Sequence, residues 1–472
     1  MKNKTTCAIF QKVLLLVTSL IFYACAGVKN LLVLAAVILI NYLAGRFIEK
    51  FNGSDAKAGS MLITLITVIL NGAALAFYKY FGLLTGKSIF MPLAFSFITF
   101  QSIAYIFDVY RKKISGEKNL LEFALFITFF GQLVQGPIIR YNDFKIQMNG
   151  PTSFYEKMDV SMFASGVKRF CYGIGKKIII ANTVALVSEQ IWAAHGDAVA
   201  LAQANAGSTI YSIPTTVAWF GLLLYTLQIY FDFSGYTDMA IGISRMFGIE
   251  ICENFDYPYT SLSIREFWRR WHISLSSWFR DYIYIPFGGS KKGTFRTCIN
   301  LIIVFLVTGI WHGADFTFII WGGIFAVFTV LERLFLGKLL DKNPVKIINW
   351  LYTIFVVMMG WVFFRAPDLN SALCYFKSLF GNGMISSGTA SLSTSAMTMT
   401  VVSLLSVDLI AAIIAGILFC GFIQRLLQKK YMAICNSVIV IGIDTLLQIA
   451  ILIWSMLMIL QGSFIPSVYG GF

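Results

Sequence analysis

Charge is what this sequence has least of: Asp, Glu, Lys and Arg make up 13% of its 472 residues, and hydrophobic types 58%. Soluble domains carry roughly a quarter charged residues. With a mean hydropathy of +0.75, a water-soluble chain is excluded and an integral membrane protein is implied. Paired cysteine is missing too. Cys7, Cys25, Cys171, Cys252, Cys298, Cys374, Cys420 and Cys435 stand singly, with no CxxC pair or Cys/His cluster. That leaves them as small apolar packing residues and points to no metal site. No internal repeat is visible, which speaks against the transporters built from repeats.

Familiar catalytic signatures are absent as well. No two aspartates are separated by a single residue, so the DxD metal–nucleotide motif of many glycosyltransferases is missing. Neither His272 nor His312 has an aspartate five positions on, which excludes the HxxxxD acyltransferase motif. "GLLTGKS" at 82–88 imitates a phosphate loop, but only three residues separate Gly82 from Gly86; the motif needs four, between a strand and a helix. The first apolar run is too long, and too closely followed by a second, for a simple cleaved signal peptide. Despite Ala24, Ala26 and Gly27, it is read as retained.

What is there is a succession of apolar runs of about 18 or more residues, each long enough to cross a bilayer as a helix. About twelve are expected, near 8–27, 30–48, 60–84, 89–107, 119–137, 170–194, 210–231, 297–313, 315–336, 347–364, 402–424 and 438–461. The run at 170–194 is imperfect, because it holds Lys176 and Lys177. Net charge is +14, with basic clusters at 111–113, 265–270, 291–296 and 425–430. These fit an excess of Lys and Arg in cytoplasmic loops; across 265–296 they also suit attraction of an anionic cosubstrate. Two stretches break the rhythm of spans. One, 235–295, is polar, basic and aromatic; the other, 381–400, is rich in Ser, Thr and Gly and reads as a flexible loop.

The chain has three histidines. At a helical repeat, residues 265–282 place Phe267, Trp268, Trp271, Leu275, Trp278, Phe279 and Tyr282 on one face and Glu266, Arg269, Arg270, Ser274, Ser277, Arg280 and Asp281 on the other. One continuous interfacial helix is therefore expected, with His272 on its boundary beside Arg265, and Pro286 with Gly288-Gly289 ending it. Such a histidine reaches a polar ligand, or is simply satisfied by hydrogen bonds; the segment alone leaves both open. His312, in "VTGIWHGADF", sits at the end of a span, where an ionisable residue marks a functional site by default. Gly309 and Gly313 allow close approach or a bend, and Asp315 is placed to orient the imidazole. His195, in "WAAHGDA", reads as a polar-loop residue. Asp232 and Asp238 follow one span and Asp108 ends another. Two histidines 40 residues apart suit general base catalysis on a hydroxyl, since imidazole titrates near neutral pH.

The block "NFDYPYTSLSIREFWRRWHISLSSWFRDYIYIPFGGSKKGTFRTCINLIIVFLVTGIWHGADFTFIIWGG" resembles the signature of the membrane-bound O-acyltransferase (MBOAT) superfamily. "TFQSIAYIFDVYRKK", "GQLVQGPIIRYNDF", "IYFDFSGYTDMAIG" and "MGWVFFRAPDL" resemble its bacterial alginate O-acetyltransferase membrane-subunit branch. The resemblance covers nearly all of 1–472 as a single domain, with the signature at about 229–323. It implies an all-α polytopic plasma-membrane protein, of about 11–12 transmembrane helices plus amphipathic or re-entrant helices, around a central tunnel. It implies His312 and His272 as catalytic, with Trp271, Arg265, Arg269, Arg270, Trp311 and Asp232 on the substrate side. The donor implied is a cytoplasmic acyl thioester, acetyl-CoA or an acyl-carrier protein, with no bound cofactor. The acceptor is an envelope or secreted polymer, and an extracytoplasmic hydrolase-fold partner completes the transfer; nucleic acid is not an expected partner. Relatives begin with one more hydrophobic segment, so this chain is expected to lack the family's first helix. The rival readings are D-alanyl transfer to teichoic acid, a flippase for a polysaccharide intermediate, and an inactive scaffold.

Overall fold

The computed structural model describes residues 2–53, 57–87, 89, 91–149, 159–204, 213–381, 399–427, 437–462 and 464–468. Apolar runs in lipid must satisfy their own backbone groups, so they coil into helices. Among the described residues, nine helices are long and apolar enough to cross a membrane. These are α1 (Lys2–Cys25), α2 (Lys29–Asn52), α3 (Lys57–Thr85), α7 (Val160–Gly175) running on into α8 (Thr183–Ala204), α9 (Thr215–Met246), α12 (Gly293–His312), α13 (Phe316–Leu331) running on through a π turn into α14 (Gly337–Lys342), α15 (Lys346–Arg365) and α19 (Val438–Leu460). The basic start of the chain is itself part of α1.

Three of the expected runs fold into shorter helices. The run at 89–107 starts late: α4 (Phe95–Tyr110) begins after Ala94, whose φ is +55°. The run at 119–137 gives only α5 (Leu120–Thr128) before turning through 130–136, ahead of α6 (Tyr141–Asn149). The run at 402–424 breaks where Ser406 caps α18 (Val407–Phe419), its hydroxyl accepting from the Leu409 amide at 3.2 Å. Before it lie α16 (Leu369–Leu379) and α17 (Val401–Leu404). Residues 382–398 of the Ser/Thr/Gly stretch lie outside the described residues.

The two lysines that interrupt 170–194 sit on a π-helical turn, Lys176–Asn182, joining α7 to α8. Both are paired against α9: Lys176 with Asp238 at 2.6 Å, and Lys177 with Asp232. An ion pair is how a membrane segment accommodates charge at low cost. Helices α12 and α13 form a tight hairpin. A Cβ on Gly309 would stand 2.5 Å from the Phe318 carbonyl oxygen, and one on Gly322 would meet that of Phe305, so glycine is required at this crossing. An apolar core gathers α9, α13, α15 and α16, and a second one joins α4 to residues 275–282 and Trp311. Two histidines lie between them.

Candidate active site

The aromatic–basic segment does not form the continuous helix that its periodicity predicts. It divides into α10 (Ile264–Arg270) and α11 (Ile273–Phe279), followed by a π turn at Arg280–Tyr284. The cause is a distant piece of backbone. Residues 254–256 pair with the chain at the break: Asp256 N donates to Arg270 O at 3.0 Å and Ile273 N to Asn254 O at 3.0 Å, with a bridge between Phe255 and Trp271. His272 is left at the corner with φ +46°, a conformation non-glycine residues rarely adopt and one that clusters at functional sites. It is 2% exposed, buried rather than interfacial. Gly288 and Gly289, with positive φ, end the segment as expected.

Asn254 fixes the protonation of this ring. Its Oδ1 accepts from the Ser274 amide at 3.2 Å and the Ser274 hydroxyl at 2.9 Å, and lies 3.1 Å from His272 Nδ1. A backbone N–H only donates, so the atom facing it is the amide oxygen and Nδ1 carries the hydrogen. Burial pushes His272 down to about 3, so the ring is neutral and Nε2 offers a lone pair. Nε2 is buried with no hydrogen-bond partner among the described residues.

His312 is the last residue of α12 and 4% exposed. Four aromatic rings enclose its imidazole: Trp311 at 4.5 Å between centroids, Trp321 at 4.8 Å, Phe364 at 5.2 Å and Phe318 at 6.4 Å. Asp315, expected to orient it, is exposed at the start of α13. Trp321 packs on His312 and reaches, through Trp361, Trp271 beside His272. A wall of tryptophans runs between the two histidines: Trp271 stands 5.0 Å from Trp361, which stands 6.4 Å from Trp321. The indole N–H groups of Trp321 and Trp361 are buried with no acceptor among the described residues, a costly state for a donor.

A cavity of about 320 Å³ opens beside this wall. Arg265, Arg269, Arg280 and Arg333 line it together with Trp268, Leu275, Phe279, Phe305 and Thr308. Thr308 lies one turn before His312 on the same face of α12. A polar pocket of about 560 Å³ shares Arg265 and Arg269 with it and adds Arg270, Glu266, Asp256 and Asp341. Arg265 is set by Glu332, whose oxygen is 3.3 Å from its Nε; Arg270 is held by Glu266 at 2.5 Å; Arg269 is exposed at the shared rim.

Other expected residues are engaged elsewhere. Asp232 pairs with Lys177 and accepts from the Ser467 hydroxyl and the Val468 amide, each at 2.7 Å, so it anchors the C-terminal tail. Asp238 is bound by Arg169 and Lys176, and Asp108 accepts from the Tyr282 hydroxyl at 2.7 Å. His195 is not in a polar loop: it lies within α8, fully buried, with Nε2 3.0 Å from Ser371 O. Asn254, Trp321 and Trp361 were not singled out by the sequence. Only their shared neighbourhood with the histidines, a property of the fold, marks them.

Residues 111–375 match the MBOAT, membrane-bound O-acyltransferase family. The chain is 40% identical to the probable alginate O-acetylase AlgI of Pseudomonas putida, over 79% of this chain and 76% of that protein. It is 35% identical to the peptidoglycan O-acetyltransferase of Helicobacter pylori, over 80% of this chain and 75% of the relative. Similarity to the teichoic acid D-alanyltransferase of Bacillus subtilis is lower, 27% over 63% of this chain and 73% of the relative.

Proposed function

This chain belongs to the membrane-bound O-acyltransferase family and is a multi-pass membrane O-acyltransferase; from that premise we propose that it moves an acetyl group from a thioester donor, entering on the cytoplasmic side, to a hydroxyl of an envelope or secreted polysaccharide. The observation that carries the reading is a pair of buried histidines beside an arginine-rimmed cavity, whose lining includes Thr308, one turn before His312, and Leu275 and Ser276, just after His272. The acetylating relatives from Pseudomonas and Helicobacter support the choice of acyl group and acceptor class.

The rim suits an anionic donor: Arg265, Arg269, Arg280 and Arg333 present guanidinium groups that pair with phosphates. The apolar walls suit an uncharged acyl arm and keep water out. His312 takes the proton of the acceptor hydroxyl as its oxygen attacks the thioester carbonyl. The C–S bond then breaks, and the thiolate receives that proton, leaving an ester, a free thiol and a neutral imidazole. A thiol with a pKa of about 8.5 leaves with little acid assistance. His272, neutral and with Nε2 as acceptor, holds the sugar by taking a hydrogen bond from a neighbouring hydroxyl, not the attacking one, while the indole N–H groups of Trp321 and Trp361 are donors available to the thioester oxygen as charge develops on it. An extracytoplasmic partner that hands the acetyl group on is compatible with this scheme.

The test is ester-linked acetate on envelope polymers of a strain lacking the gene and complemented with wild type, His312→Ala or His272→Ala. Acetate should return with wild type alone, at equal membrane levels of all three proteins. Ester-linked alanine rising instead of acetate would replace the acyl group in this reading. Full acetylation by His312→Ala would remove His312 as the base.

A further inference from the structure

Helix α3 carries a lysine in its C-terminal half, six residues before its end. The ordinary use of such a lysine is to extend its stem and place the ammonium in water. Lys79 does something else. Its Nζ donates to the carbonyl oxygen of Trp311 and lies 3.4 Å from that of His312. The next residue, Tyr80, donates its hydroxyl to the carbonyl oxygen of Ile310. The last carbonyls of a helix have no partner within it, and those of α12 are the backbone of the residue proposed as base. Two neighbouring side chains on α3 thus engage three consecutive carbonyls at the end of α12.

We propose that Lys79, assisted by Tyr80, is a positioning residue for acyl transfer: it locks the terminal turn of α12 and so holds the His312 imidazole at its working distance. This inference rests on the assignment of His312 as base. Three features support it beyond the hydrogen bonds. A cation at a helix C-terminus is stabilised by the aligned peptide dipoles. The ammonium stands 5.2 Å from the centre of the Trp311 ring, a cation–π distance, and that ring is 4.5 Å from the imidazole. Gly313, next in the chain, leaves the helix with extended φ and ψ, so nothing C-terminal continues the helical ladder beyond His312. The end of α12 is therefore held from the side, by α3. Neither the clamp's side chains nor the carbonyls they hold belong to the lining of the arginine-rimmed cavity, so it should govern turnover and not donor capture.

The experiment uses the full-length protein in proteoliposomes, with acetyl-CoA as the probe donor, envelope polymer as acceptor, and thiol release as the signal. Lys79→Met should lower kcat by about tenfold or more, since sub-ångström misplacement of a catalytic group is costly, with the KM for acetyl-CoA within about twofold of wild type. Lys79→Arg, which restores a cationic donor, should recover most of the rate. Tyr80→Phe should lower kcat by about threefold, the loss of one neutral hydrogen bond. A Lys79→Met protein with wild-type kcat, a KM that rises in step with the loss of rate, or a Lys79→Arg protein as slow as Lys79→Met each overturns the proposal. If Lys79→Met fails to reach the membrane, Tyr80→Phe carries the test, and an unchanged kcat there overturns it. His312→Ala is measured alongside: if it retains activity, the assignment of the base has failed, whatever Lys79 does.

Discussion

His272 and His312 are both buried to within a few per cent, yet the protein holds them by opposite means. His312 ends a long spanning helix in ordinary geometry; its ring is packed by aromatics and its backbone is gripped from outside by Lys79 and Tyr80. His272 sits at a corner between two short helices with a left-handed backbone, and its ring is held by a hydrogen bond that its Nδ1–H donates to Asn254 Oδ1. The first arrangement surrounds the ring with aromatic side chains and fixes the backbone that carries it. The second fixes a tautomer, which suits a group that must stay neutral and accept a hydrogen bond.

The largest effect should come from His312. His312→Ala is expected to reduce acyl transfer by about 10²–10⁴-fold, the span of general base catalysis, measured as thiol release and polymer ester together. His272→Ala should cost less than His312→Ala; equal losses would erase the distinction between base and acceptor. Asn254→Ala should follow at about tenfold in kcat, because Nδ1 loses the partner that sets its hydrogen and the ring is free to turn. Arg269→Ala should raise the KM for acetyl-CoA by about fivefold, the loss of roughly 1 kcal/mol from one charged contact at an exposed rim, with kcat little changed.

A separate expectation concerns stability and not turnover. His272 is held down to about 3 in the fold by burial, against about 6.5 when unfolded. The unfolded state therefore binds the extra proton. Stability is full above about pH 6.5 and falls, by up to about 1.4 kcal/mol per pH unit, as pH drops from there toward 3. The Tm of wild type should decline between pH 6.5 and 5 more steeply than that of His272→Gln. Parallel declines would show that this ring is not neutral by burial.

The same contrast explains what was legible beforehand. The place of His312 at the end of a span could be read from the sequence, where an ionisable residue at the end of an apolar run is rare and costly. The spans were legible for the same reason, apart from runs such as 402–424, where a capping serine and Gly421 at φ +125° stop the helix. The geometry of His272 was not legible. Residues 265–282 have a clean helical period, and periodicity does not register a strand-like pairing with residues 254–256 that opens the helix at Trp271. Asp232, read as following a span, lies inside α9, and its pairing with Lys177 and the C-terminal tail could not be read from the sequence. Lys79 went unnoticed because its partners lie more than two hundred residues further along the chain.

The most direct measurement is stoichiometry. Purified protein in proteoliposomes receives acetyl-CoA and polysaccharide, and free thiol and polymer-bound acetate ester are counted in the same reaction. The account predicts one ester for each thiol with wild type, and neither product above background with His312→Ala. Thiol and ester formed at wild-type rates by His312→Ala would contradict it.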